Sequence, residues 1–143
     1  MIEKIIDHTL EVIEEKNKAI ERAMVKIGTT AVGEAVILLT EQDAVDTGRL
    51  RNSITYATHE KTDGKSYNWK DSRKGRGIKG GSDKTSAKAM PEEGSVYIGT
   101  NVNYAPYIEI GAKGKSPRPY LKPAIADHTN EYKKIIEEEL KDT

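Results

Sequence analysis

Gly75-Arg76-Gly77-Ile78-Lys79-Gly80 has the G-x-G-x-x-G spacing that lets a backbone approach a pyrophosphate at a helix N-terminus. That chemistry needs a strand leading in and an apolar helix leading out. The flanking residues supply neither, so a charged, glycine-rich loop accounts for the spacing. Val45-Asp46-Thr47-Gly48 carries the Asp-Thr-Gly order with which a pair of carboxylates sharing one proton can activate water. Here a long helical pattern precedes it and Arg49 follows, so a capping role for Asp46 or Thr47 at a short helical turn explains the pair better. His8, His59 and His128 are far apart and none has a two-histidine metal spacing, so they read as surface or interface histidines. Glu137, Glu138 and Glu139 sit in a row on a predicted helix, cannot all converge, and read as a solvated face. No catalytic residue, cofactor site or metal site is assigned, and an enzyme is not expected.

One charge feature has a functional reading. Residues 61–84 carry 8 basic and 3 acidic side chains, whereas residues 1–60 carry 7 basic and 11 acidic. Lys65, Lys70, Arg73, Lys74, Arg76 and Lys79, with Tyr67 and Trp69 among them, could meet phosphates and stack on bases. The rival is a solvated loop that orders against a partner protein, and it is favoured because no second basic patch is visible.

The elements that would position these residues follow from periodicity. Ile2, Ile5, Ile6, Val12, Ile13, Ile20, Met24, Ile27, Ala31, Ala35, Leu38 and Leu39 recur mostly three or four apart, predicting a helix over about 2–41, with a bend near Gly28 or Gly33. So long a helix has more apolar stripe than the rest of the chain can cover, so part of it is expected to meet another subunit. Ile54, Tyr56 and Thr58 alternate with Thr55, Ala57 and His59, predicting a half-buried strand with one wet face. Residues 61–92 read as a long mobile loop or hairpin tip. Val96 to Gly99 reads as a second strand, and 101–110 as either a strand or a helical turn. Ser116-Pro117-Arg118-Pro119 leads into a helix over about 119–141. The expected fold is α+β, one domain over 1–143, with two helices packed on a small, mostly antiparallel sheet whose strands and loop fall within about 53–111.

The 143 residues suffice for one core, and the 23 basic and 23 acidic side chains balance. With Cys and Phe absent, the core rests on Ile, Val, Leu, Ala and seven Tyr. Disulfides and thiolate sites are thereby excluded, which fits assembly in a reducing compartment. No leader pattern is read at the N-terminus and no apolar run of about 18 residues is expected, so no membrane partner is inferred.

Taken in order, Val45-Asp46-Thr47-Gly48-Arg49-Leu50-Arg51-Asn52-Ser53-Ile54, then residues 96–111 (Val96 through Gly111), then Arg118-Pro119-Tyr120-Leu121-Lys122-Pro123-Ala124-Ile125 resemble the tailed-phage head-to-tail connector or minor tail-component family, typified by tail-completion proteins. The resemblance implies a virion structural protein: a ring-forming subunit of the neck or head-proximal tail end. It would assemble in the bacterial host cytoplasm as a hexamer or dodecamer with neck and tail proteins, around the DNA channel. The positions it singles out are Asp46, Thr47, Gly48 and Leu50, then Tyr104, Ala105, Glu109 and Gly111, then Arg118, Pro119 and Leu121. These imply architecture: a cap, a tight approach, an acceptor for a nearby base and the start of a helix. Non-specific DNA contact through the basic loop is compatible with it, and a nucleic-acid-binding module acting through 61–84 is the alternative reading.

Overall fold

The computed structural model describes residues 2–41, 48–64, 66–69, 81–84, 90–111, 114 and 116–141. The chain is α+β as expected. A single helix, α1 (Ile2–Glu41), is followed by α2 (Arg49–Ser53), β1 (Thr55–Thr58), β2 (Ser66–Trp69), β3 (Gly81–Lys84), β4 (Val96–Gly99), α3 (Ala105–Glu109), α4 (Leu121–Ala126) and α5 (Thr129–Lys141). β1 pairs antiparallel with β4 in the register Thr55 opposite Gly99 and Thr58 opposite Val96.

α1 is the spine. Its 40 residues give a rod of about 60 Å, helical through both Gly28 and Gly33. Its buried stripe of Ala19, Ala23, Met24, Ile27, Ala31, Ala35 and Leu39 is mostly alanine, so the partner backbones come close. Two apolar clusters share this stripe. Ala23, Met24, Ile27 and Ala31 pack with Tyr132 of α5, flanked by Ile135, Ile136 and Val96. Ala35 and Leu39 pack with Leu50, Ile54, Val102, Ala105, Tyr120 and Ala124.

By length and composition the part of α1 between Glu11 and Glu41 is apolar enough to cross a membrane, which the sequence reading did not anticipate. Its packing is that of a core helix. Ala19, Ala23, Ala31, Ala35 and Leu39 are buried within the chain, and its charges Lys26 and Glu34 pair with Glu139 and His128.

Four expectations are corrected. β1 has no wet face, for Thr55, Tyr56, Ala57 and Thr58 are all buried. The segment after β1 folds back on it. Thr62 bridges Ala57, and Asp63 accepts from the Thr55 hydroxyl and, at 2.8 Å, from the Tyr56 N–H. Next, residues 61–92 are not all loop, because β2 pairs with β3 in an antiparallel ribbon. Third, the helix expected over 119–141 is two helices, broken at Asp127 and His128. Fourth, α2 is capped at Gly48, whose φ of 75° lies in the left-handed region that glycine adopts without strain, and no side chain caps it. Asp46 and Thr47 lie outside the described residues. The ambiguous stretch 101–110 resolves as α3.

Arg49 ties the ribbon to the body. Its guanidinium donates to Asp83 through Nε at 2.6 Å and through a second nitrogen at 3.3 Å. Asp83→Asn should therefore speed backbone hydrogen exchange across β2 and β3. Because the pair is partly exposed, global stability should fall by less than about 1 kcal/mol. Exchange mass spectrometry beside a urea melt reads both; unchanged protection in 66–84 would rule out this anchor.

Candidate functional site

The three segments that carry the resemblance meet at one junction against the C-terminal half of α1. Leu50 from the first, Ala105 from the second, and Tyr120 and Ala124 beside the third are buried together, with Tyr104, Ile108 and Leu121 packed around them. Leu50 is placed by the short helix α2, which is held by Asn52 N–H donating to the Gly48 carbonyl at 2.9 Å. Ser53, wholly buried, donates to the Leu50 carbonyl and shares a hydrogen bond with Thr100. α2 is thereby joined to the segment leaving β4.

α3 starts after Tyr104 with Pro106 in its first turn, where a missing N–H costs nothing. At its end Glu109 turns toward α4. One carboxylate oxygen accepts from the N–H groups of Tyr120 at 2.6 Å and Leu121 at 3.1 Å, and the other accepts from the Lys122 N–H at 2.9 Å. The first N–H groups of a helix have no partner within it, and the helix dipole favours a negative charge there. Glu109 supplies both needs from 11 to 13 residues earlier in the chain. The sequence reading made it an acceptor for a nearby base; the structure makes it the cap of α4. Arg118 N–H donates to the Ile108 carbonyl at 2.8 Å, which pins the strand between α3 and α4. The Tyr120 hydroxyl donates to the Ala105 carbonyl at 3.3 Å. Burial, then the charge of Glu109 and then Tyr104 raise its pKa well above the usual tyrosine value, so it stays a neutral donor.

Lys65, Lys70, Arg73, Lys74, Arg76 and Lys79 lie outside the described residues, so the structure neither groups nor separates them. Gly111 follows α3, and Pro119 directly precedes the capping position of α4 at Tyr120.

Two polar constellations were not anticipated. Glu139, read as part of a solvated face with Glu137 and Glu138, is buried and receives Lys26 Nζ and, at 3.2 Å, Arg22 Nε. Only Glu137 and Glu138 are exposed. Hydrogen bonds from Lys26 and then Arg22 hold the Glu139 carboxyl below its ordinary value, with burial opposing them. A depressed folded-state pKa contributes stability above the unfolded value, lost as pH falls through the folded one. Chemical denaturation at neutral pH and below pH 4 should therefore show a steeper acid loss for the wild type than for Glu139→Gln; parallel slopes would refute the coupling.

His128 is likewise not a plain surface group. Its Nε2 lies 3.2 Å from Glu34 of α1 and its Nδ1 3.2 Å from Glu131 of α5. These are the described residues whose ligand atoms lie within reach of one ion, all within 4.8 Å of one another. Each ring nitrogen is already matched to a carboxylate, so the cluster works as a fastener between α1 and the start of α5. Beside it Tyr132 donates to the Ala124 carbonyl. Burial, with Glu131 and then Glu34 adding to it, pushes the Tyr132 pKa up to about 12. His59 is exposed, with Nδ1 3.1 Å from the Pro91 carbonyl.

No periodicity marks Glu139 or Glu109 in the sequence, because their partners are 113 and 13 residues distant. The one local signal was a Glu in a predicted buried stripe, since Tyr132, Ile135 and Ile136 place position 139 on the inner face of α5. The geometry holds backbone and joins helices. Compared with known proteins, the chain matches no family model, no characterised protein and no solved structure.

Proposed function

We propose that this protein is a structural subunit of a tailed-phage virion, forming a ring in the head-to-tail connector or the tail-completion assembly around the DNA channel. One observation supports the reading: the three separated segments whose order carries the resemblance converge in one junction on α1. Their polar groups, Glu109 and Ser53 above all, are used to hold backbone. That is the economy of a scaffold. A closed ring uses two different surfaces per subunit, and neck and tail proteins would stack above and below it.

The test is light scattering over a concentration series, then electron microscopy of any large species. The reading expects a ring, or a monomer that becomes one on concentration. A monomer that persists at high concentration and shifts only when DNA is added would instead favour a nucleic-acid-binding module acting through 61–84. Its affinity would fall steeply with salt.

A further inference from the structure

α1 outruns everything in the chain that covers it. α5 lies antiparallel along it, His128 opposite Glu34 at one end and Glu139 against Arg22 and Lys26 near the other. The contact ends where Lys16 Nζ donates to the carbonyl of Leu140, one residue before α5 stops. Residues 11–15 are all exposed, with Ile13 48% and Val12 39% accessible. Helical spacing puts Ile6, Ile13, Ile20 and Ile27 seven apart on one stripe. The inner half of that stripe is core, so its outer half is a core surface without a cover. A helical stretch of roughly 14 residues with nothing packed on it is marginal in water.

The chain also presents a surface suited to that arm. On α3, Tyr107 is 61% and Ile110 72% accessible, three residues apart and so on one face. The charges complement each other. Residues 2–15 carry five acidic and one basic side chain, whereas residues 110–122 carry four basic and no acidic. The two surfaces lie at opposite ends of the molecule. α3 packs with Ala35 and Leu39, more than 20 residues from Ile13 and so about 35 Å along α1. The arm cannot fold back onto its own α3.

We infer that the N-terminal turns of α1 dock on the Tyr107 and Ile110 face of a second copy of this chain, in a head-to-tail contact. The acidic, apolar arm of one subunit lies on the basic, apolar end of the next. Such a contact uses different surfaces on the two partners, so it propagates until it closes or forms a filament. The inference deepens the ring reading and rests on that reading only for closure.

Two variants test it, Ile13→Asp in the arm and Ile110→Asp in the receiving face. Both positions are exposed, and circular dichroism checks that the helices are kept. Wild type should associate, less strongly in 1 M salt, and each variant alone should need at least tenfold more protein. Mixed, the two variants should form a 1:1 heterodimer that grows no further, because one intact arm and one intact face remain. Two monomers in the mixture, wild-type assembly by either variant, or a wild type monomeric at all concentrations would overturn the inference.

Because the chain has no cysteine, oxidising a mixture of Ile13→Cys and Ile110→Cys proteins gives a second readout. A disulfide between the two variants is expected, and only symmetric dimers would overturn the contact. The two readings fail separately. Heterodimers together with open wild-type chains would keep the contact and sink the ring; a wild-type ring without heterodimers would do the reverse.

Discussion

Replacing Glu109 with alanine should lower the stability of the fold by about 1.5–3 kcal/mol, the cost of removing a charged acceptor from several donors. The carboxylate receives the N–H groups of Tyr120, Leu121 and Lys122, so truncation orphans three donors and removes the charge at the head of α4. Tyr120 is wholly buried and its neighbour Leu121 packs on the same cluster, which leaves water little room to substitute there. Glu109→Gln separates the causes. It keeps an acceptor oxygen and loses the charge, so it should recover part of the deficit. Urea melts of the three proteins measure the difference. A Glu109→Ala melt within about 0.5 kcal/mol of wild type would place the cap elsewhere.

Gly28→Ala should destabilise the protein by about 1–3 kcal/mol, the usual cost of overpacking a core. Gly33→Ala, in the same helix, should stabilise it by about 0.5–1 kcal/mol. Alanine is the better helix former at both positions, so propensity predicts the same sign twice. Space decides otherwise. A Cβ on Gly28 would stand 2.7 Å from Cγ and 2.9 Å from Cβ of Tyr56, and the second of these atoms cannot swing away without moving β1. At Gly33 nothing lies within 4 Å. Tyr56 is buried and its strand is held by Asp63 and by β4, so the sheet has little freedom to retreat. Thermal melts of the two variants against wild type give the answer, and equal signs would show that β1 yields.

The long helix, the strand at Val96, the short turn at Leu50 and the α+β class were legible because each rests on local spacing. Ile27, Ala31, Ala35 and Leu39 announce one face of a helix, and the structure buries them. What the spacing hides is whatever a distant segment decides. The outer face of β1 alternates correctly for exposure, yet Thr62 and Asp63 return to cover it. The break at Asp127 and His128 has no proline or glycine to mark it; there His128 reaches Glu34 while its carbonyl accepts the Tyr132 N–H. The ribbon of Ser66–Trp69 and Gly81–Lys84 was obscured by the glycines and charges around it, although Tyr67 and Trp69 alternate as strand residues do. At the junction, the motif segments were found by their order and the role of Glu109 only by its geometry.

Because α1 runs unbroken beneath both apolar clusters, it acts as a lever with its bearing in the body and its handle outside. A sideways load on the turns before Lys16 has no hinge at which to dissipate. It arrives as a tilt at Ala35 and Leu39, and so at Tyr120 and the start of α4. Whatever grips the free end of this helix therefore also steers the far end of the molecule.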